Sequence, residues 1–388
     1  MDLETLAVLR TPDGVNALAA AADVAGGDPL SAAMALRSRG FDPGVAAAAL
    51  TQTGFRQRAL AKFGPAAAEM FFTRAGLEQA TRAVVADRRA ARLAAAGVRS
   101  LADLGCGLGS DALAAARAGI RVYAVDADPL TAAMAAANAA AAGLADLVSV
   151  DCADATTVEV ERFDAVFADP ARRRSGGGRV FDPKSYSPPW DFVAGLAGRV
   201  PRTVLKLAPG IDHALLPGGA EGEWVSVGGD LVEAAFWCGP LAAAQRRATL
   251  LPGGDELTGS EAPAPAGQIG QFLYDPDPAV VRSHLVGAFA EAIGGRLADP
   301  DIAYVYADDA VDTPFARRLE ITDVLPFSLK RLRTLLRDRG VGRLEIRKRG
   351  SALEPEQLRK DLRLAGPNAA SIVLTRVAGT PQVLMVEA

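Results

Sequence analysis

Asp103-Leu104-Gly105-Cys106-Gly107-Leu108-Gly109-Ser110-Asp111, followed by Val125-Asp126-Ala127-Asp128, is the stretch whose reading decides the fold. It reads as a buried strand ending in an acid, then a glycine-rich turn that opens a helix at Ser110-Asp111. A second strand, Arg121 to Val125, ends in another acid. Glycines remove the Cβ and permit unusual φ/ψ, so such a turn lets the backbone approach a ligand closely. The acid ending the second strand stands where nucleotide-binding βαβ units bind ribose hydroxyls. The glycines run G-x-G-x-G, which separates this turn from the dinucleotide pattern G-x-G-x-x-G.

Working outward, strands and helices alternate. Strands are expected at Leu101–Leu104, Val122–Val125, Leu147–Val150, Ala165–Ala168 and Thr203–Leu207, with helices such as Ala112–Ala118 and Thr131–Ala142 between them. Alternation of this kind implies an α/β protein with a parallel, Rossmann-like sheet covered on both faces. Trp224–Val227, Leu231–Trp237 and Ala248–Leu251 read as further strands, with room for an antiparallel strand at the sheet edge. Residues 1–95 read as an N-terminal helical domain, in which Asp28 and Asp42 precede prolines at helix starts. Arg56, Arg58 and Lys62 give one of its segments a basic side, readable as a solvated face. Pro252 to Gly267 is the clearest composition break and reads as a linker or long loop. The expected division is therefore 1–95, 96–267 and 268–388. The last part holds strands Leu319–Val324, Arg343–Arg349, Ser371–Thr375 and Val383–Val386, with helices at Leu329–Arg337 and Pro355–Arg363.

Composition narrows the function classes. The chain has 388 residues and a net charge of −4, so no global charge points to nucleic acid or membrane. Three cysteines without paired spacing and two histidines indicate neither a disulfide framework nor a metal site, and none is expected. The Ala-rich stretches are broken by Asp, Arg and Gly, so no membrane span is expected. Met1-Asp2-Leu3-Glu4 is no secretory signal, and the expected location is cytoplasmic.

The whole string from Asp103 to Asp111 resembles the first motif of class I S-adenosylmethionine-dependent methyltransferases. That resemblance implies S-adenosylmethionine as cofactor. Its methionine and ribose would lie against Asp103, Gly105, Gly107, Gly109 and Asp111, and Asp126 and Ala127 would lie beside the ribose and adenine. Asp154 is then a candidate acceptor for the adenine amino group, and Thr73 and Arg74 belong to a segment that closes over the cofactor. The fourth strand runs into Asp169-Pro170-Ala171-Arg172-Arg173. Relatives that methylate exocyclic amines carry an acid or amide plus proline here, usually followed by a second proline and an aromatic. An aromatic amine's lone pair is delocalised and poorly nucleophilic, so a carboxylate and a carbonyl that accept its hydrogens aim it at the methyl group. Asp169 and the Pro170 carbonyl are the candidates for that role. Ala171 and Arg172 depart from the pattern, which leaves Phe181, Tyr186 or Trp190 to stack on the target. Arg172 and Arg173 begin a basic, Gly-rich loop suited to phosphate, and Lys206 ends the fifth strand at the same edge.

Together with Phe71-Phe72-Thr73-Arg74-Ala75-Gly76-Leu77-Glu78-Gln79-Ala80-Thr81 and the basic tail, these motifs make the chain similar to bacterial class I methyltransferases with a THUMP-like C-terminal domain. The catalytic part is also similar to the trimethylguanosine synthase group. The resemblance implies an RNA substrate, tRNA or rRNA. Residues 328–363 hold twelve Lys or Arg against five Asp or Glu. Lys330, Arg333 and Arg337 share one helix side opposite Leu329, Leu332 and Leu336, while Arg347 alternates with Leu344 and Ile346. A cationic face of this kind fits phosphate backbone. Two other readings stay open: a methyltransferase of small molecules or proteins, and a non-catalytic RNA-binding protein with a vestigial site.

Overall fold

The computed structural model describes residues 1–172 and 186–387, without the side chains of Ala171 and Arg172. The chain divides into two compact units. Residues 1–207, 211–220 and 235–243 form the first; 208–210, 221–234 and 244–387 form the second.

The first unit begins with helices α1 (Leu3–Leu9), α2 (Pro12–Asp23), α3 (Pro29–Ser38) and α4 (Pro43–Phe63). Asp28 and Asp42 do cap α3 and α4, accepting from Ser31 N (2.9 Å) and Gly44 N (2.8 Å), with proline at the first helical position. Short α5 (Arg74–Gln79) and longer α6 (Ala83–Ala95) lead to β1 (Ser100–Leu104), α7 (Ser110–Arg117), β2 (Arg121–Asp126), α8 (Pro129–Ala141), β3 (Val148–Cys152) and β4 (Ala165–Ala168). A hairpin of β5 (Ala171–Arg172) and β6 (Tyr186–Ser187), helix α9 (Trp190–Arg199) and β7 (Thr203–Leu207) follow. Strands β7, β4, β1, β2 and β3 lie side by side in that order, all parallel. Every expected strand from Leu101 to Leu207 is present. Helix α7 is buried at Ala112, Leu113, Ala114, Ala115 and Ala116; methyl-sized side chains let it press closely against its neighbours. The N-terminal helices and the sheet share one apolar core, from Leu6 and Leu36 to Leu101 and Phe167.

The second unit contains β8 (Glu221–Val227) and β10 (Arg246–Leu251), which pair in parallel. Strand β9 (Asp230–Trp237) is divided between the units. The expected linker at 252–267 needs correction, because β11 (Asp255–Gly259) lies within it and pairs antiparallel with β10. Gly254, at φ +85°, makes the turn that joins them. Next come β12 (Phe272–Pro276), α10 (Pro278–Arg282), α11 (Val286–Ala292), β13 (Arg296–Leu297) and β14 (Val305–Ala307). After them come β15 (Ala316–Pro326), α12 (Leu329–Asp338), β16 (Val341–Lys348), α13 (Pro355–Leu362), β17 (Asn368–Val377) and β18 (Thr380–Glu387). Seven of these strands form a sheet in the order β13-β14-β12-β15-β18-β17-β16, in which only β16 and β17 pair in parallel. Alternation splits its side chains: Ile372, Leu374, Val383 and Met385 meet Leu332, Leu336, Leu358 and Leu362, while Val373, Leu384 and Val386 bury with Tyr304, Tyr306 and Leu319.

Candidate active site

The carboxyl ends of β1, β2 and β4 converge on the glycine turn. Gly105 sits at φ +90°, and a Cβ there would stand 3.0 Å from the Asp169 carbonyl oxygen. Glycine is thus required twice, by the left-handed backbone and by the close approach. Gly105 N and Cys106 N both donate to the Val125 carbonyl, at 2.9 and 3.0 Å. Around the position of a Gly107 Cβ the space is open. The Asp126 carboxylate accepts from Gly107 N (3.1 Å) and Asp128 N (3.0 Å), so it braces the turn. Burial raises the Asp126 pKa, while those two N–H groups pull it down.

Asp103 and Asp111, both expected beside the ligand, sit in different surroundings. Asp103 is fully buried, and neither of its oxygens has a hydrogen-bond partner. Burial, then the charges of Asp111 and Asp169, push its carboxyl well above the usual range, against the pull of Arg89 and Lys206. Asp111 is held by an ion pair with the buried Arg89 and by Thr81 Oγ1 at 2.6 Å, and the Arg89 guanidinium lies 4.6 Å over the Phe167 ring. A carboxyl with a raised folded pKa costs stability once pH passes the unfolded value, near about 3.9, and the cost grows towards the folded value. Asp103→Asn is accordingly expected to raise the unfolding temperature at pH 8 by at least ~3 °C, the shift that about 1 kcal/mol produces in a unit of this size. The gain should shrink towards pH 5. An unchanged or lower unfolding temperature at pH 8, measured by calorimetry, would refute this account of the buried acid.

Asp169 follows β4 and donates its N–H to the Leu104 carbonyl (3.2 Å). The register Ala168↔Leu205 brings Lys206 opposite it, and Lys206 Nζ donates to Asp169 Oδ2 at 2.5 Å. Asp169 is half-buried and Pro170 buried. Hairpin β5–β6 sets Tyr186 opposite Arg172, and Tyr186 and Trp190 lie with ring centroids 5.8 Å apart. Two of the three candidate aromatics are therefore near neighbours just beyond Asp169-Pro170. Arg173, Phe181 and the Arg172 side chain lie outside the described residues.

The segment carrying Thr73 and Arg74 rests on the turn. A Cβ at Gly76 would meet the Leu108 side chain at 2.9 Å, and Thr73 Oγ1 caps α5 at Gly76 N. Arg74 is exposed and pairs with Glu78. The basic side of α4, readable as a solvated face, is in part structural: Arg56 donates to the Met70 carbonyl, and Lys62 to the carbonyls of Leu77, Glu78 and Ala80. Sequence reading missed two buried amides here, Gln52 and Asn138. The available signal was a lone amide inside an Ala-rich helical run.

The remaining candidates scatter. Ala127 is exposed just after Asp126. Asp154 accepts from Thr156 N and Oγ1 as a helix cap, which lowers its pKa. In the second unit Lys330 and Arg337 are exposed on α12. Arg333 instead turns back to the Asp361 carbonyl, and Arg347 lies 2.8 Å from Glu345 and 3.9 Å from Asp275. A backbone carbonyl at Arg333, and Glu345 of the same strand and Asp275 of β12 at Arg347, thus shrink the expected cationic face. Among the described residues no helix is long and apolar enough to cross a membrane, and no group of three acids, cysteines or histidines is placed to hold a metal.

A parallel sheet in this order, with a glycine turn after its first strand and an acid after its second, is a Rossmann-like nucleotide-binding sheet. Residues 101–171 match the family described as a methyltransferase domain, 316–388 that described as THUMP domain-like, and 2–59 a domain of unknown function. An uncharacterized S-adenosylmethionine-dependent methyltransferase of Mycobacterium tuberculosis is 36% identical over 343 residues, covering 84% of this chain and 91% of that one. The chain belongs to this family of S-adenosylmethionine-dependent methyltransferases. It is an enzyme that transfers methyl groups, with S-adenosylmethionine as its cofactor. The residues fit that group, because the open space at Gly107 and the half-buried Asp126 carboxylate lie together at the turn. A 23S rRNA uracil C5-methyltransferase of Acidithiobacillus ferrooxidans is 37% identical over 102 residues, 25% of this chain and 23% of that one. The crystal structure of a provisionally assigned methyltransferase from Porphyromonas gingivalis W83 shares the fold: TM-score 0.75, 21% identity, 96% of this chain and 98% of that one covered.

Proposed function

We propose that this enzyme methylates an exocyclic amino group of a nucleotide in RNA, either tRNA or rRNA. The observation that carries the reading is Asp169-Pro170 at the end of β4, with the Asp169 carbonyl 3.0 Å from the Cβ position of Gly105 in the cofactor turn. The bound cofactor supplies an electrophilic methyl on a sulfonium. The protein's part is to hold and aim the acceptor. Gly105, Gly107, Gly109 and Asp126 would hold the cofactor, with Ala127 and Asp154 towards its adenine and Thr73 and Arg74 over it.

Lys206 engages one oxygen of Asp169, which orients the carboxylate and leaves its other oxygen to accept an amine hydrogen. The Pro170 carbonyl takes the second, and the half-buried Trp190, its ring tilted against the buried Tyr186, supplies the flat surface that Ala171 does not. A guanine amino group, in line with the resemblance to the trimethylguanosine synthase group, is one target of this kind. Exposed Lys330 and Arg337 of the THUMP-like domain fit phosphate contact, and the rRNA-modifying relative supports an RNA substrate.

The test is transfer of labelled methyl from S-adenosylmethionine to total RNA from cells lacking the gene. Nuclease-sensitive label in a methylamino nucleoside is the expected result. Label in a C5-methyl pyrimidine would overturn the amine assignment, and label in protein or small molecules the RNA assignment.

A further inference from the structure

The N-terminal helices match a family of unstated function, yet their last helix holds a segment lying on the cofactor turn. We infer that these helices are part of the cofactor site: two positioning residues, Gln52 of α4 and Asn138 of α8, lock residues 71–76 as a strap against the glycine turn. Both side chains are fully buried. Asn138, on α8, accepts from Phe71 N (2.7 Å) and donates to the Phe71 carbonyl (3.3 Å) and to the carbonyl of Leu108 (3.0 Å), which lies between Gly107 and Gly109. Gln52, on α4, accepts from Phe72 N (2.9 Å) and donates to the Phe72 carbonyl (2.7 Å).

The physical need is plain. Phe71 and Phe72 are buried but belong to no helix or strand, so their peptide groups would be orphaned without side-chain partners. An amide offers a donor and an acceptor on one planar group and meets both needs of one residue. Asn138 has a further donor, and it spends that on the turn. One side chain thereby ties the strap, the glycine turn and the helix that follows Asp126. Arg56 and Lys62 extend the same grip to Met70, Leu77, Glu78 and Ala80. Thr73 and Arg74 are consequently held at the cofactor turn by the N-terminal helices.

The inference rests on the cofactor assignment and is tested on the full chain with S-adenosylhomocysteine as probe. Asn138→Asp keeps the acceptor for Phe71 N but loses both donors; Gln52→Glu does the same at Phe72. Gly76→Ala presses on the Leu108 side chain and on the Thr73 hydroxyl, which can both give way, and leaves the buried amides intact. Calorimetric affinity and the rate of tryptic cleavage after Arg74 are read with and without the probe. Losing buried donors should weaken probe binding at least about tenfold in Asn138→Asp and about threefold in Gln52→Glu, and pressing the strap off Leu108 should weaken it about threefold in Gly76→Ala. The probe should slow cleavage after Arg74 in wild type and fail to do so in the variants. Folded variants that bind the probe within about twofold of wild type, with Arg74 equally protected, would overturn the inference. If the other two do not fold, Gly76→Ala still tests the contact of the strap with the turn, and wild-type binding and protection in that variant would overturn the strap. Wild type that binds no probe would overturn the cofactor assignment instead.

Discussion

Asp169→Ala is expected to cut the methyl-transfer rate by about 10²–10³ while S-adenosylhomocysteine affinity stays within about threefold of wild type. The split follows from which atoms of Asp169 face which partner. Its backbone carbonyl approaches the cofactor turn at Gly105, and its N–H meets Leu104; alanine preserves both. Its carboxylate meets Lys206 and is the group assigned to the amine, and alanine removes it. Removing one oriented group that acts mainly in the transition state typically costs about 10²–10³ in rate. Single-turnover transfer and calorimetric binding together check this. A rate within tenfold of wild type, or a loss of affinity matching the loss of rate, would sink the role given to Asp169.

Gly105→Ala is expected to lose both functions at once. Its φ of +90° is strained for any L side chain, and the new methyl would stand 3.0 Å from a backbone oxygen, which cannot swing aside as a flexible side chain can. Such backbone strain costs about 1–3 kcal/mol. Relief requires the turn or Asp169 to move, so binding of S-adenosylhomocysteine should fall about tenfold or more, and transfer by a further factor of about ten. Melting curves with and without the probe measure the first, and single-turnover rates the second. An alanine variant with wild-type affinity would show that the turn does not approach the ligand as proposed.

Asp169 and Gly105 also show how far the sequence could be read. The glycine turn, its flanking strands and Asp126 were legible because glycines at positive φ and β-strand alternation are local properties, written within a few residues. The loop 252–267 was read as a linker because proline and glycine dominate it, yet five of its residues complete a hairpin with β10. A hairpin partner is chosen by pairing, which composition does not record. Asp111 and Arg333 looked available for ligands because acids and bases usually face solvent. In the fold Arg89 and Thr81 engage one, and the Asp361 carbonyl the other.

From the sequence alone came the α/β class, the order of the parallel strands along the chain, the cofactor turn and the cofactor it implies. These rest on short-range geometry and on residue types whose chemistry needs no distant partner. Tertiary structure alone decided what lies beside what: Lys206 on Asp169, thirty-seven residues apart, and Asn138 joining Phe71 to Leu108. It also decided that Asp103 is fully buried without a hydrogen-bond partner for its carboxyl. Which polar groups meet is settled by packing the apolar core, and the need to satisfy every buried donor and acceptor then selects the partners.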